Sequence, residues 1–166
     1  MKRFVKKGNH YSIHPIGIHF GIRKFKFRFK LDGSCLYPIL DADDYDLNKL
    51  YGFSYGYHHK NSIRIGWRPD ERDDKKIQLH SYVYNKGKRT MNYIDSIITD
   101  KWYEMEIETL LCNKVVFTLS DNKVLSKRTE DFVMPKFIAG YFLDFYIGGN
   151  KPARKDTIAY IERIKN

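Results

Sequence analysis

Residues 25–31 restrict the fold more than any other part of the sequence. Apolar and cationic side chains alternate strictly there, reading Phe-Lys-Phe-Arg-Phe-Lys-Leu. Alternation with a period of two puts one kind of side chain on each face of a β-strand, whereas a helix would scatter the same residues around its circumference. The segment therefore predicts a strand with one face in an apolar core and a cationic face in water.

Similar patterns recur along the chain. Alternating or aromatic-rich runs bounded by turn residues predict further strands at 50–57, 63–68, 77–84, 102–110, 115–119, 141–147 and 158–164. Between two of them, 85–88 has the composition of a hairpin turn in which Gly87 takes a positive φ. Many short strands with closely spaced turns are typical of a sandwich or barrel. We expect an all-β fold, an antiparallel two-sheet β-sandwich of jelly-roll type.

The length and composition bound the organisation of the chain. At 166 residues, with 42% hydrophobic and 16% aromatic residues, it fits one folded domain over 1–166. Residues 1–12 are rich in lysine and arginine and are expected to form a basic N-terminal arm. Cys35 and Cys112 are too few for a disulfide framework, so both are expected to be small buried side chains.

The charge and the N-terminal sequence predict partners and location. No apolar region follows the basic start, and no stretch reaches the roughly 18 apolar residues of a membrane span. We expect cytoplasmic synthesis without a signal peptide, and export, if any, as part of a larger particle such as a virion. The net charge of +10 favours anionic partners, among them nucleic acid and acidic polysaccharides.

Three predicted strands would share one polar outer face if they are neighbours. That face would carry Arg64, Arg68, Gln78, His80, Tyr82, Tyr84, Asp144 and Tyr146, with Gly66 leaving a groove between the arginines. Tyrosine rings stack on sugars, and guanidinium groups bind carboxylates or sulfates in a bidentate manner. The face is either a glycan-binding surface or the ordinary polar side of an antiparallel sheet.

The same strands carry a resemblance to a known superfamily. The strand order, the mid-chain Gln78-Leu79-His80 and the tyrosine-rich strand near the C-terminus resemble the concanavalin A-like jelly-roll superfamily of lectins, glucanases and polysaccharide lyases. Residues 52–68 and 146–153 are also similar to uncharacterised small proteins of that type. The resemblance implies a jelly roll and a carbohydrate ligand.

Alginate-lyase-like members of the superfamily imply a β-elimination site on the same face. Gln78 with Arg64 or Arg68 would hold the uronate carboxylate, His80 would take the C5 proton, and Tyr146 would protonate the leaving oxygen. The chain departs from that pattern because 64–68 lacks the glutamate, and the terminal strand has Asp144 and no lysine.

A carboxylate beside the tyrosine would repel a uronate. We therefore predict a non-enzymatic, lectin-like domain that binds an anionic glycan. A polyuronate lyase is the enzymatic alternative, and a purely structural component of a virion or other assembly, with protein partners, is the third.

Two acidic or histidine-rich segments could be considered for metals. Asp41, Asp43, Asp44 and Asp46 are oxygen ligands close in sequence, but they lack the EF-hand spacing and are expected to form an exposed loop, with structural calcium as the alternative. His58-His59 is expected to be a solvated turn at the rim of the polar face. No cofactor and no metal site is predicted.

The cationic face of 25–31 has two interpretations. Lys24, Lys26, Arg28 and Lys30 could follow phosphates, but no nucleic-acid motif accompanies them and cations also protect sheets from aggregation. Nucleic acid is therefore not the favoured partner. Glu104, Glu106 and Glu108 alternate on another strand without the spacing of a glucanase carboxylate pair, and are expected to counter the cationic row.

Overall fold

The computed structural model describes residues 1–164 of the chain. Within them the strands are β1 (Lys2–Val5), β2 (Ile18–Phe20), β3 (Lys24–Leu31), β4 (Asn48–Ser54), β5 (Ser62–Asp70), β6 (Asp73–Asn85), β7 (Lys88–Ile98), β8 (Tyr103–Leu110), β9 (Lys114–Ser120), β10 (Val124–Asp131), β11 (Ala139–Leu143) and β12 (Thr157–Ile164). Two single-turn 3-10 helices, Gly33–Cys35 and Ala42–Tyr45, lie between β3 and β4. No helix among these residues is long and apolar enough to cross a membrane.

The strands form two six-stranded antiparallel sheets. Sheet A has the order β1-β12-β3-β8-β9-β10 and sheet B the order β2-β11-β4-β5-β6-β7. Non-consecutive neighbours such as β12 and β3 show that the chain crosses repeatedly between the sheets. The predicted two-sheet antiparallel sandwich is confirmed.

The core lies between the sheets and is largely aromatic. The apolar side chains of β3 are all buried, and the Phe27 ring meets Tyr51 of β4 edge-on, with ring centroids 5.3 Å apart. Trp67 of β5 stacks on Phe145 at 5.8 Å. Burying each such ring contributes about 1.5–3 kcal/mol. The predicted alternation of 25–31 is confirmed.

One predicted turn is confirmed, whereas the bounds of two predicted strands differ from those observed. Lys86 and Gly87 both have positive φ, which gives the tight hairpin turn expected between β6 and β7. By contrast, the strands predicted at 63–68 and 77–84 are longer than expected, because β5 continues to Asp70 and β6 already begins at Asp73. Pro69 is tolerated in β5 because the strand pairing is irregular beside it.

The predicted basic arm at 1–12 is replaced by ordered structure. Lys2–Val5 form β1, which pairs with β12, and Val5 is fully buried. Further along, Tyr11 forms an antiparallel bridge with Tyr146. Side chains alternate at 2–5, so that Arg3 and Val5 are buried while Lys2 and Phe4 are exposed. Cys35 is buried as predicted, whereas Cys112 is exposed in the turn between β8 and β9.

Three of the four cations in the row on the outer face of sheet A are paired with glutamates, including the predicted Glu104 and Glu106. Lys24 bonds Glu106 at 3.0 Å and Lys26 bonds Glu104 at 2.6 Å across the β3–β8 pair. Arg28 donates its Nε to Glu162 of β12 at 2.6 Å. The fourth cation, Lys30, lies over the Tyr160 ring at 4.6 Å.

The acidic loop is paired with basic residues of the segment after β11. Asp41 bonds Lys151, and the buried Asp44 bonds Arg154. Backbone N–H groups of Leu40 and Asp41 also donate to the Asp44 carboxylate. Among residues 1–164, no three histidine, cysteine or acidic side chains converge as metal ligands.

Candidate functional site

Most of the residues predicted for the polar face do lie together on the outer face of sheet B. Pairing between β5 and β6 places Arg64 opposite Tyr82 and Arg68 opposite Gln78, with Gly66 opposite His80. Tyr84 follows Tyr82 on the same face. Seven of the eight predicted residues belong to two separate groups on this face, and Asp144 lies elsewhere.

The first group is a floor of two cations and three tyrosines, here called the tyrosine–cation floor. Its members are Lys49, Arg64, Tyr82, Tyr84 and Tyr146. The Arg64 guanidinium lies 5.2 Å from the Tyr82 ring, and the Lys49 amine lies 5.2 Å from Tyr82 and 5.5 Å from Tyr146. Cations over aromatic faces are attracted by the ring quadrupole. One continuous surface thus joins Arg64 to Tyr146.

Arg64 is the most unusual residue of this floor. It is only 8% exposed, and its Nε is buried without a hydrogen-bond partner. Within residues 1–164 no carboxylate forms a salt bridge with it. Burial lowers the pKa of Arg64, and the surrounding tyrosines raise it. A buried cation without a counter-ion is costly to a fold.

Lys49 places a second cation beside Arg64. Its amine donates to the Gly148 carbonyl at 2.7 Å. Burial, and secondarily the charge of Arg64, lowers the pKa of Lys49 to about 8. Near neutral pH the amine can therefore exist in both charged and neutral forms. Such perturbed groups are concentrated at functional sites.

Backbone contacts fix Tyr146 against Lys49. The two residues exchange both backbone hydrogen bonds, at 2.8 and 2.9 Å, outside the named strands. The ring of His10 stacks on Tyr146 at 5.4 Å, and the His10 Nδ1 contacts the Ile147 carbonyl at 2.9 Å. The N-terminal segment thereby packs along one side of the floor.

The second group is a hydrogen-bonded cluster, here called the amide–imidazole cluster. Its members are Arg68, Asp70, Gln78, His80 and Ser96. Arg68 Nε donates to Gln78 Oε1 at 3.0 Å, and Gln78 Nε2 donates to Asp70 at 3.1 Å. His80 Nε2 lies 3.3 Å from Gln78 Oε1. Burial, and then the charge of Arg68, lowers the pKa of His80 to about 4.

The predicted groove at Gly66 is filled. A Cβ on Gly66 would lie 2.9 Å from the Leu47 side chain, so this buried leucine occupies the space over the glycine. Leu47 separates Arg64 from Arg68. The arginines therefore belong to different groups, and only Arg64 lies in the tyrosine–cation floor.

Asp144 is the exception to the predicted face. Its carboxylate bonds Arg3 of β1 at 2.7 Å and accepts the backbone N–H of Phe145. That local bond ends β11 at Leu143, so the expected alternation through 141–147 does not continue. The neighbouring Phe142 packs against the core. Placing Asp144 beside Tyr146 on the polar face was wrong, and no repulsion of a uronate arises from it.

The His58-His59 turn lies at the rim of the floor. His59 meets Tyr84 edge-on at 5.4 Å, and His58 Nδ1 lies 2.6 Å from the hydroxyl of Tyr141. Burial and the neighbouring His59 lower the pKa of His58. The two rings therefore extend the aromatic surface beyond the strands.

The sequence did not predict three residues of the two groups, namely Lys49, Asp70 and Ser96. Lys49 lies in β4 opposite Gly66. It follows the acidic segment 41–46 closely in sequence and was not assigned to the polar face. Asp70 lies beyond the strand predicted at 63–68, but it is 6% exposed and accepts from Ser96 Oγ at 2.7 Å. Lys49 could have been predicted from the sequence, because a single turn separates its strand from β5, which carries Arg64 and Arg68.

Comparisons with known proteins bear on the fold. No known protein family matches the sequence, and no curated protein does. An alginate lyase from Chlorella virus superposes with a TM-score of 0.57 at 16% identity, over 98% of this chain and 81% of the other. A protein from Saccharomyces cerevisiae described as functionally unknown gives 0.54 at 8% identity, over 99% and 89%.

A prokaryotic β-1,3-1,4-glucanase (lichenase) from a mouse hindgut metagenome gives a TM-score of 0.51 at 13% identity, over 98% of this chain and 78% of the other. The chain has the concanavalin A-like jelly-roll fold. At these identities the likeness concerns the backbone alone. In this jelly roll the tyrosine–cation floor and the amide–imidazole cluster share the outer face of sheet B.

Proposed function

We propose that this jelly roll binds an anionic polysaccharide through the outer face of sheet B. The observation that carries this proposal is the buried guanidinium of Arg64, which has no carboxylate partner among residues 1–164 and lies beside the similarly buried Lys49. A uronate carboxylate would supply the missing counter-ion, and the floor tyrosines would stack on the sugar ring. The alginate lyase among the structural neighbours is consistent with such a ligand.

Calorimetric titration with alginate, polygalacturonate and a neutral glucan tests this proposal. We expect the two polyuronates to bind and the neutral glucan not to bind. Arg64→Met, which keeps length and removes charge, should weaken binding about 10- to 100-fold, since hydrogen bonds to charged groups contribute about 1.5–3 kcal/mol.

Arg28→Met on sheet A is the matched control and should leave affinity nearly unchanged. Thermal denaturation of both variants shows that each remains folded. Equal polyuronate affinity in the wild type and Arg64→Met would reject the proposed site.

A second candidate, a polyuronate lyase, is favoured by the amine of Lys49. In β-elimination a base removes the C5 proton, the C4–O bond breaks with formation of a C4=C5 double bond, and an acid protonates the leaving oxygen. A group whose pKa is about 8 suits proton transfer near neutral pH, and Tyr146 and Tyr82 lie within 5.5 Å of it. His80, with a pKa near 4, is the weaker base.

The two candidates are separated by the ultraviolet absorbance of the unsaturated product. A lyase would generate absorbance from alginate or glucuronan, and Lys49→Met and Tyr146→Phe would each abolish it. A binding protein would retain the polysaccharide without any absorbance change. Arg28→Met again serves as the control that should match the wild type.

A role in a larger assembly is a third, separate proposal. Ile13, Ile16, Ile18 and Phe20 are all more than 70% exposed in the segment that leads into the edge strand β2. Exposed apolar side chains on one segment favour contact with another protein. Light scattering of the purified protein should then show an oligomer that Phe20→Ser shifts toward the monomer, and a wild-type monomer would contradict this.

A further inference from the structure

The orientation of the Gln78 amide is fixed by one hydrogen-bond donor and one hydrogen-bond acceptor. The Nε–H of Arg68 can only donate, and it meets Gln78 Oε1 at 3.0 Å. The buried carboxylate of Asp70 can only accept, and it receives Gln78 Nε2 at 3.1 Å. Turning the amide by half a rotation would set donor against donor and acceptor against acceptor. Arg68 and Asp70 therefore define which end of Gln78 faces His80.

Asp70 remains a carboxylate throughout the ordinary pH range. Ser96 Oγ donates to it at 2.7 Å and the backbone N–H of Arg72 at 3.0 Å. Although burial alone would raise it, these hydrogen bonds hold the pKa of Asp70 well below its usual range. The acceptor-only character on which the orientation of Gln78 depends is thus maintained.

The fixed amide determines the protonation of His80. Since Gln78 Oε1 is an acceptor, the imidazole nitrogen 3.3 Å from it must be the donor. We propose that His80 is held as the tautomer protonated on Nε2, with the Nδ1 lone pair available as a hydrogen-bond acceptor and Asp70 acting through Gln78 as a positioning residue. Among residues 1–164 the Nδ1 atom makes no hydrogen bond.

The consequence for the ligand rests on the proposed function, and it restricts which group of the ligand can contact His80. An acceptor at His80 selects a donor, such as a sugar hydroxyl, and does not bind a carboxylate. The anionic group is left to Arg64 and Lys49 on the other side of Leu47. The face therefore recognises a uronate by two kinds of contact, a cationic one for the carboxylate and a neutral one for a hydroxyl.

The groups that face His80 keep its ring neutral. They are Arg68, whose charge opposes protonation, Gln78, and Tyr93 of β7, whose ring meets the imidazole edge-on at 5.9 Å. Asp70 lies one hydrogen bond further away and is already engaged by Ser96 and Gln78. No titration of His80 is expected between pH 5 and 8.

Long-range proton–nitrogen NMR of the ligand-free protein tests the tautomer, because the two ring nitrogens have different shifts when protonated. We expect His80 of the wild type to carry its proton on Nε2 in a single state. Gln78→Met removes the acceptor and should give a mixture of tautomers, whereas the control Tyr93→Phe, which keeps the ring, should match the wild type. A wild-type proton on Nδ1, or an unchanged single tautomer in Gln78→Met, would overturn the proposal.

The role of the two fixing groups is tested by the double variant Arg68→Met/Asp70→Asn. Without an obligate donor and an obligate acceptor, Gln78 can present either end, so both tautomers of His80 should appear. Asp73→Asn in the same hairpin is the control. An unchanged tautomer in the double variant would remove Asp70 from the positioning role.

Failure of this inference is distinct from failure of the proposed function. The spectra are recorded without ligand, so they stand whether or not polyuronate binds. If the protein binds polyuronate but His80 carries its proton on Nδ1, only the proposed role of His80 is contradicted.

Discussion

The outer faces of the two sheets carry their cations in opposite ways. On sheet A, Lys24, Lys26 and Arg28 of β3 are partly or largely exposed and bond glutamates of the adjoining strands. On sheet B, Lys49 and Arg64 are nearly buried behind tyrosines, and no salt bridge is formed to either among residues 1–164. Both faces belong to antiparallel sheets of similar size, so the difference is one of side chains and not of architecture.

Under the proposed function, that difference separates cations that serve solubility from cations that bind a ligand. Exposed ion pairs contribute little to stability and can be replaced at little cost. Buried cations that repel each other lower stability, and folds retain them mainly where a function needs them. The tyrosine–cation floor is therefore the surface on which the proposed anionic ligand would bind.

The largest effect is expected from Gly52, beneath the floor. A Cβ there would lie 2.1 Å from the Ile63 carbonyl oxygen and 2.8 Å from the Arg64 side chain, so Gly52→Ala should destabilise the fold by about 2–4 kcal/mol. On the sheet A side, a Cβ on Gly33 meets only Asp100 at 3.5 Å. Urea denaturation should show Gly33→Ala close to the wild type, and equal losses for both variants would refute this contrast.

The pH dependence of stability should have opposite signs on the two faces. Because the folded pKa of Lys49, about 8, lies below its unfolded value of 10.5, the unfolded chain binds the extra proton between these values. Stability should therefore rise with pH in that window, by up to about 1.4 kcal/mol per pH unit. Lys49→Met should lose this rise in denaturation measured from pH 7.5 to 10.

Lys24 is the counterpart on sheet A. Its hydrogen bond to Glu106 raises the pKa of Lys24, so its contribution is present below the unfolded pKa and is lost as pH rises through the folded one. Lys24→Met should keep the rise that Lys49 causes. A Lys49→Met variant with the wild-type slope would show that the amine is not held in a depressed state.

Removing the unpaired guanidinium should stabilise the protein while it weakens binding. Arg64→Met relieves the repulsion of Lys49 and buries an apolar side chain, so we expect a gain on the order of 1–2 kcal/mol. Thermal denaturation measures it. A loss of stability comparable to that of a core substitution would mean that Arg64 serves the fold.

The smallest effect is expected on the paired face. Glu106→Gln breaks the 3.0 Å ion pair with Lys24, which should change stability by about 0.2–1 kcal/mol, less at high salt. Denaturation at low and high ionic strength measures the difference. A larger change in the free energy of unfolding would show that the ion pairs of sheet A contribute substantially to stability, in contradiction to the difference drawn between the two faces.

The strands were predictable where periodicity is strong. Residues 25–31 and 63–68 alternate clearly, and both lie within strands whose apolar side chains are buried. Short edge strands such as β1 and β2, at four and three residues, are too brief to show a period. The end of β11 was not predictable because it depends on Asp144 bonding its own neighbour, a contact that no pattern displays.

The candidate site was predictable as a set of strands and less so as a set of contacts. Arg64, Tyr82 and His80 were placed on one face by counting along β5 and β6, which requires only that the two strands pair. Lys49 and Leu47 depend on the register of β4, which is interrupted between Lys49 and Gly52. A register shift of this kind follows from tertiary packing and leaves little trace in sequence.

The reciprocal backbone bonds between Lys49 and Tyr146 have a thermodynamic consequence for any ligand. Ordering a free loop upon association costs entropy that must be subtracted from the gain in contact energy. Here main-chain pairing already orders the backbone that carries the phenol and the amine before any ligand binds. Association should therefore proceed without reorganisation of the receptor, and variants that loosen this bridge should lose affinity through a greater entropic penalty while every direct contact is kept.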